Sequence, residues 1–344
     1  MGLATQYQFF NTLQALTREG ILSANVIDTV FRDAKFFAWL RQKDQVVMMN
    51  GGAAIIWNLN VGRSPNTKAF WGVQPLPINA MNTNIIRAAL NWHAYADALV
   101  IALTDVAMNN GSPEAIANIV DVQMGVVKNS LVEKLSIDAL TNTQAINPLQ
   151  FDGLAAAIDN GTVATSYAGI SRTGVYGPNW NSVTNYDVVA TANFLNTVHA
   201  TDIQASVAGE RPDAYFCTSN TFATSVESLT NNDRYWQPDM ARAAGGYDLI
   251  FNGKPLYIDQ YMPTGVVSPD PNFTPPAGTS NSGGLFYGLN SSYTKLVCHP
   301  NFNFAAQEWE SAQSNAAFFS RMFFFGNVVE EKPTANFVIW QQGG

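Results

Sequence analysis

A chain of 344 residues can bury a sizeable core, yet only 13% of its residues are charged, where an average soluble domain carries roughly 25%. Its net charge of −8 argues against a basic surface that grips nucleic acid, and its two cysteines, Cys217 and Cys298, are too few for a disulfide framework. No apolar run reaches membrane length and no basic-flanked leader opens the chain, while a 12% aromatic content with so few charges leans toward subunit interfaces, the alternative being a neutral polar surface on a free protein.

Residues 7–40 have a broken helical pattern. Phe9, Phe10, Leu13 and Leu16 form one stripe that Gly20 ends; Val26, Ile27, Val30, Phe31, Ala34, Phe37 and Ala38 form a second. Such a segment is too thin to enclose a core and reads as an arm packed on something else. Residues 45–61 turn strand-like, with Ile55, Ile56 and Trp57 following the Asn50-Gly51-Gly52 turn. Residues 83–95 make a second strand, and between the two lies a stretch broken by Pro65, Pro75 and Pro77. The pattern predicts an extended hairpin whose long tip reaches over a neighbouring subunit, since loops of that length are unusual inside a compact domain. Phe70, Trp71 and Val73 at the tip form a candidate apolar anchor. Arg63 and Lys68 are the tip's charges, able to pair with acidic groups on a neighbour or to stay solvated. The competing reading folds the tip back on its own domain.

Residues 112–140 predict the clearest helix: Ser112 as cap, Pro113 and Glu114 in the first turn, then Ile116, Val120, Met124, Val127, Leu131 and Leu135 at helical spacing. A further helix is expected over 186–205, with Val189, Phe194, Leu195 and Val198 facing a core. A buried strand over 213–217 precedes a helix capped by Ser219, and 249–258 read as a hairpin about Asn252-Gly253. Strands follow at 285–289 and 293–297, and 318–329 and 335–340 suggest a final strand pair.

Catalytic chemistry is sparse. His93, His199 and His299 are the only histidines, and Cys298-His299, adjacent on a strand, would point to opposite faces rather than share a metal. There is no Gly-x-Ser-x-Gly elbow, phosphate-binding loop or dinucleotide fingerprint. Glu308 with Glu310, and Glu330 with Glu331, read as solvated or interface charges rather than paired catalytic carboxylates. No catalytic residue, cofactor or metal is expected, although a Ser/His/Asp or Cys/His site, being defined in space, stays open.

The stretch 152–181 carries the most information: DGLAAAIDNGTVATSYAGISRTGVYGPNWN, a short apolar helix, a Gly-Ile-Ser-Arg segment, and a Gly/Pro/Asn turn with an exposed-looking Trp180. It resembles the mid-chain segment of tailed-bacteriophage major capsid proteins. Two further segments are similar to the same family: Arg211-Pro212-Asp213 leading through Cys217 to Asn220, and the hairpin from Phe251 to Asp259. The order of elements looks like the α+β Hong Kong 97-type capsid fold. The resemblance implies an N-terminal arm (1–44), an extended hairpin loop (45–96) and the first part of a peripheral domain (97–185) holding a spine helix (112–140). An axial α/β domain (186–293) and peripheral return strands (294–344) would follow. It implies pentamers and hexamers closing an icosahedral shell around double-stranded DNA, with inter-subunit contacts at Arg63, Lys68, Phe70, Trp71, Val73 and Trp180. Portal, scaffolding and decoration proteins would be the other partners, with no membrane, and the location would be the virion capsid after assembly in host cytoplasm. Because the arm begins at once, scaffolding would come from another protein or be absent. Two alternatives remain: an encapsulin-type shell, and a neutral-surfaced soluble hydrolase or binding protein with a pocket.

Overall fold

The computed structural model describes residues 34–62, 67–72, 85–104, 113–141, 147–187, 194–206, 209–219, 221–222, 249–262, 286–311 and 316–341. The chain divides into two units. The larger holds residues 33–94, 135–300 and 325–344. The smaller includes 95–134 and 301–324.

The larger unit is organised by a six-stranded mixed sheet. Its strands are β7 (Val183–Asp187), β8 (Ala214–Cys217), β9 (Leu249–Phe251), β10 (Lys254–Ile258), β11 (Phe286–Leu289) and β15 (Phe337–Gln341), in the order β7-β15-β11-β8-β10-β9. The central strands β8 and β11 are buried at every residue, the signature of a sheet covered on both faces. Tyr215, Cys217, Phe251, Leu256, Phe286, Phe337 and Ile339 form its core with Phe194 and Val198 of a short helix (Phe194–Gln204). Gly288 is required here, because a Cβ on it would lie 2.1 Å from the Phe337 ring. The β9–β10 hairpin turns at Asn252 and Gly253, both with positive φ (51° and 73°), which is why Asn-Gly stands there.

A five-stranded sheet has the order β1-β12-β14-β13, with β4 also on β14. These are β1 (Val46–Met48), β4 (His93–Ala102), β12 (Thr294–Ala306), β13 (Glu310–Ser311) and β14 (Ala317–Glu330). The expected long helix spans Pro113–Thr141, ~40 Å of rise. Val127, Leu131 and Leu135 are buried along it at the spacing of four that the sequence shows.

Four expectations change. Tyr186 and Asp187, expected to open the helix over 186–205, instead end strand Val183–Asp187, in which β-branched Val183 and Thr184 pair in parallel with Phe337 and Val338; helix is described over Phe194–Gln204. The strands β14 and β15 do not pair with each other but belong to different sheets, because the 3-10 turn Pro333–Ala335 redirects the chain between them. Before β1, helix α1 (Lys35–Gln42) buries Phe36, Trp39 and Leu40, not the stripe through Phe37 and Ala38. Thr218, not Ser219, caps the turn after β8: its Oγ1 accepts the Thr221 N–H at 3.3 Å. The rest of that helix, the earlier part of the arm, and the loop 263–285 lie outside the described residues.

Candidate functional site

Residues 55–60 and 85–90 of the predicted hairpin pair with each other, whereas 46–48 and 93–95, expected within its arms, belong to the five-stranded sheet. Strands β2 (Ile55–Asn60) and β3 (Ile85–Leu90) pair antiparallel, in register from Ile55↔Leu90 to Asn60↔Ile85. Ile55, Ala88 and Leu90 turn inward, whereas Ile56 and Ile85 face out. The tip is described at residues 67–72. There Lys68 is exposed, Phe70 is 61% exposed and Trp71 is 88% exposed. Arg63 and Val73 lie outside the described residues. Two adjacent large aromatics in water are uncommon on a free surface, and they mark this tip as the candidate contact site.

Directional bonds fix the hairpin's root. Trp57 Nε1 donates to the Glu331 carbonyl at 3.3 Å, and Asn327 Nδ2 donates to the Asn91 carbonyl at 2.9 Å. The Ala89 N–H donates to the Ala168 carbonyl at 3.1 Å, and Asn179 Nδ2 to the Val61 carbonyl at 2.7 Å. The last two partners belong to the 152–181 stretch, so the segment most informative in the sequence is the hairpin's mount.

That mount is built around Arg172. Residues 151–159 are all buried, and Leu154–Ala157 make one helical turn. Its small alanines let the Arg172 guanidinium approach the backbone. Nη2 donates to the carbonyls of Ala156 (2.6 Å) and Ala157 (2.7 Å), and Nη1 to that of Asp159 (2.5 Å). A helix end leaves carbonyls without partners, and here a buried cation satisfies them. Burial lowers the Arg172 pKa to about 10, opposed by the charge of Asp159, so the group stays cationic. Asp159 in turn uses one oxygen, Oδ2, to accept the N–H groups of Gly161, Val163 and Ala164, each at 2.9 Å. The short strands β5 (Ser166–Tyr167) and β6 (Ile170–Ser171) turn at Ala168 and Gly169, both with positive φ.

Trp180 corrects the sequence reading. It is 2% exposed, its ring stacked on Tyr167 with centroids 6.0 Å apart. The 3-10 turn Gly177–Asn179 brings it back inside, and Gly177 permits this because a Cβ there would lie 2.0 Å from the Arg172 carbonyl oxygen. The exposed apolar residues of the turn are Val175 (90% exposed) and Tyr176, which the sequence reading passed over; flanking glycines give no periodicity from which to tell in from out. Only Lys68, Phe70 and Trp71 of the expected contact residues stand together on a described exposed segment.

Glu330 is the second correction, being fully buried rather than solvated. Its carboxylate accepts from Thr294 Oγ1 at 2.6 Å, and its N–H donates to Tyr167 Oη at 2.9 Å. Burial pushes its pKa up to about 8. A carboxyl raised in this way contributes stability that is present below its ordinary pKa near 4.5 and is lost as pH rises through 8. Glu330→Gln should therefore remove a loss on the order of 3 kcal/mol between about pH 5 and pH 8, read as the difference between wild-type and variant unfolding free energies across that range. Equal pH slopes for the two proteins would contradict it.

His93 Nε2 lies 3.9 Å from Asp152 Oδ2, and both side chains are buried. Among the described residues no group of three or more His, Cys, Asp or Glu side chains could hold a metal ion, and no helix is long and apolar enough to cross a membrane.

No family model matches the chain, and no curated protein matches it. Solved structures do. The capsid of cyanophage A-1(L) superposes with a TM-score of 0.65 at 13% identity, over 95% of this chain and 98% of that one. The capsid of the native GTA particle gives 0.59 at 11% identity, over 94% and 96%. The holo-SrpI encapsulin complex of Synechococcus elongatus PCC 7942 gives 0.55 at 9% identity, over 99% and 95%. A rooted hairpin, a 29-residue helix and two sheets in this order, matched to capsid subunits over nearly their full length, give this chain the α+β Hong Kong 97-type capsid fold.

Proposed function

We propose that this chain is the major capsid protein of a tailed bacteriophage, a non-enzymatic subunit that assembles with its own copies into the pentamers and hexamers of an icosahedral shell. The observation that carries the reading is an exposed aromatic tip on a firmly rooted hairpin, in a chain whose whole length follows the capsid fold. The tip, with Arg63, Lys68, Phe70, Trp71 and Val73, lies across the adjacent subunit. The domain holding the six-stranded sheet gathers at capsomer centres, and the long helix and return strands make the peripheral contacts. The acidic chain encloses double-stranded DNA without gripping it in a sequence-specific way. Portal, scaffolding and decoration proteins complete the particle, which is located in the virion after assembly in the host cytoplasm.

Likeness to an encapsulin favours a second reading, a shell around protein cargo. Light scattering and negative-stain microscopy of the purified chain test the shared part: shells, or rings of five and six, are expected. A monodisperse monomer at high concentration would sink both readings. Nuclease-protected double-stranded DNA in native particles separates the phage shell from the protein-filled one.

A further inference from the structure

The sequence holds four Asn-Gly pairs, at 50–51, 110–111, 160–161 and 252–253. Such a pair can modify itself: glycine has no Cβ to shield its backbone nitrogen, and that nitrogen can attack the carbonyl carbon of the asparagine side chain. Asn110 and Gly111 lie outside the described residues. In the other three pairs the asparagine is exposed and the glycine has positive φ, so neither property separates them. Hydrogen bonding does. The Gly161 N–H donates to Asp159 Oδ2 at 2.9 Å, and Asn160 Oδ1 accepts the Thr162 N–H and hydroxyl at 3.2 and 2.5 Å, so nucleophile and electrophile are both held. The Gly51 N–H donates to the Met49 carbonyl at 2.9 Å. The Gly253 N–H, by contrast, donates to no group among the described residues. Gly253 is itself exposed, and a Cβ placed on it would meet nothing within 4 Å.

From this we propose that Asn252-Gly253 is a site of spontaneous deamidation, and that its product unfastens the β9–β10 edge of the six-stranded sheet. Gly253 N gives its proton to water and attacks Asn252 Cγ. The new N–Cγ bond forms, the Cγ–Nδ2 bond breaks, and the amide leaves as ammonia with a proton taken from solvent. Water then opens the cyclic imide at either carbonyl, leaving aspartate or isoaspartate. The net exchange is ammonia out and water in, with no oxidant or reductant. The surroundings of Asn252 make that product costly. Its Nδ2 donates to Asp202 Oδ2 at 3.4 Å, and Asp202, 1% exposed, pairs through Oδ1 with Lys254 Nζ at 2.5 Å. A buried carboxylate, an ammonium and a neutral amide are in balance there. Deamidation replaces the amide donor by a second carboxylate facing the first, and the Lys254 ammonium is left to serve both anions. Isoaspartate also lengthens the backbone inside a two-residue turn, so the Phe251↔Lys254 pair no longer closes in register. Phe251 belongs to the buried core, so opening this turn loosens the core's edge. The proposal does not depend on the capsid reading, since every group lies within one chain.

Ageing the full-length wild-type protein in warm, mildly alkaline buffer, followed by peptide mass mapping, tests the selection of this pair. Position 252 should gain about one mass unit, with both isomers present, and roughly tenfold or more faster than positions 50 and 160, because its nucleophile has no hydrogen bond to break. Equal rates at the three positions, or faster conversion at 50 or 160, would overturn the proposal. Hydrogen–deuterium exchange tests the consequence. Protection of the β9 amides should fall as position 252 converts, while β11 stays protected, and Asn252→Asp should show the same loss without ageing. Asn252→Gly keeps a turn that accepts positive φ but has no amide to lose, and its β9 should stay protected through the same ageing. Unchanged β9 protection in converted protein, or an equal fall in aged Asn252→Gly, would show that deamidation does not unfasten the edge.

Discussion

Trp71→Ala is expected to raise the concentration needed for assembly by a factor of about 30 or more and to leave the isolated subunit as stable as before. The ring is 88% exposed, so it contributes almost nothing to its own subunit's core. Exposed substitutions of this kind change unfolding free energy by only about 0.5 kcal/mol. In a contact the arithmetic differs. Burying a large aromatic removes about 150–250 Å² from water, worth roughly 4–6 kcal/mol before ordering costs. Truncations of central aromatic anchors typically cost about 2 kcal/mol or more, which is roughly 30-fold in a dissociation constant. Phe70, 61% exposed beside it, should behave alike, and the pair together should abolish shells at ordinary concentration. Lys68→Ala should cost much less and only at low salt, because an exposed ion pair is screened. Light scattering across a dilution series, paired with urea unfolding of the dissociated subunit, gives both quantities. Unchanged assembly in Trp71→Ala would remove the tip from the contact surface; a destabilised subunit would show that the ring packs inside its own chain.

Arg172→Ala should act in the opposite way, through the fold rather than the contact. Three carbonyls, of Ala156, Ala157 and Asp159, accept from its guanidinium in a buried site. Removing a partner from a buried acceptor costs about 1–3 kcal/mol, and here several lose theirs while a cavity opens. A loss on the order of 4 kcal/mol is expected, a large part of the roughly 5–15 kcal/mol that stabilises a typical domain. Arg172→Lys should rescue little, since a compact ammonium cannot span carbonyls that a planar fork reaches together. The effect should spread to the hairpin, because the Arg172 carbonyl is the surface on which Gly177 packs, and Asn179 of the same turn holds Val61. Urea denaturation checks the magnitude. An Arg172→Ala protein within about 1 kcal/mol of wild type would mean that solvent or rearranged backbone satisfies the carbonyls.

What could be read from the chain alone was what local chemistry controls. The Asn252-Gly253 turn needs positive φ at both residues, and few other pairs supply it. The spacing of Val127, Leu131 and Leu135 fixes a helix face whatever lies opposite. The low-charge hairpin with its prolines announced an extended element, and Phe70 and Trp71 stood out at its tip as a candidate anchor, with a tip folded back on its own domain as the competing reading. The motif 152–181 was visible as a segment, but its purpose was not: Arg172 between Ser171 and Thr173 carries no sign that its partners are carbonyls 13 to 16 residues earlier.

The tertiary structure decided matters where a residue's environment comes from distant chain. Glu330 and Glu331 are adjacent and chemically alike, yet Glu330 is fully buried against Thr294 and Tyr167, while Glu331 pairs with Lys295 at 2.7 Å nearer the surface. Residues 183–187 carry a mixed pattern that suits helix or strand, and the partner strand β15 settled it by supplying a ladder. Trp180 stands in a turn whose composition signals solvent, but a glycine-permitted approach to Arg172 folds it onto Tyr167. Ala34 gives helix α1 no side-chain cap, and Asp259 accepts the Phe36 N–H. Short-range periodicity and backbone conformation are written in consecutive residues; burial and the satisfaction of polar groups are properties of a residue's neighbours in space, and for these residues the neighbours lie from 36 to 223 positions away or across a turn that composition alone would have placed in water.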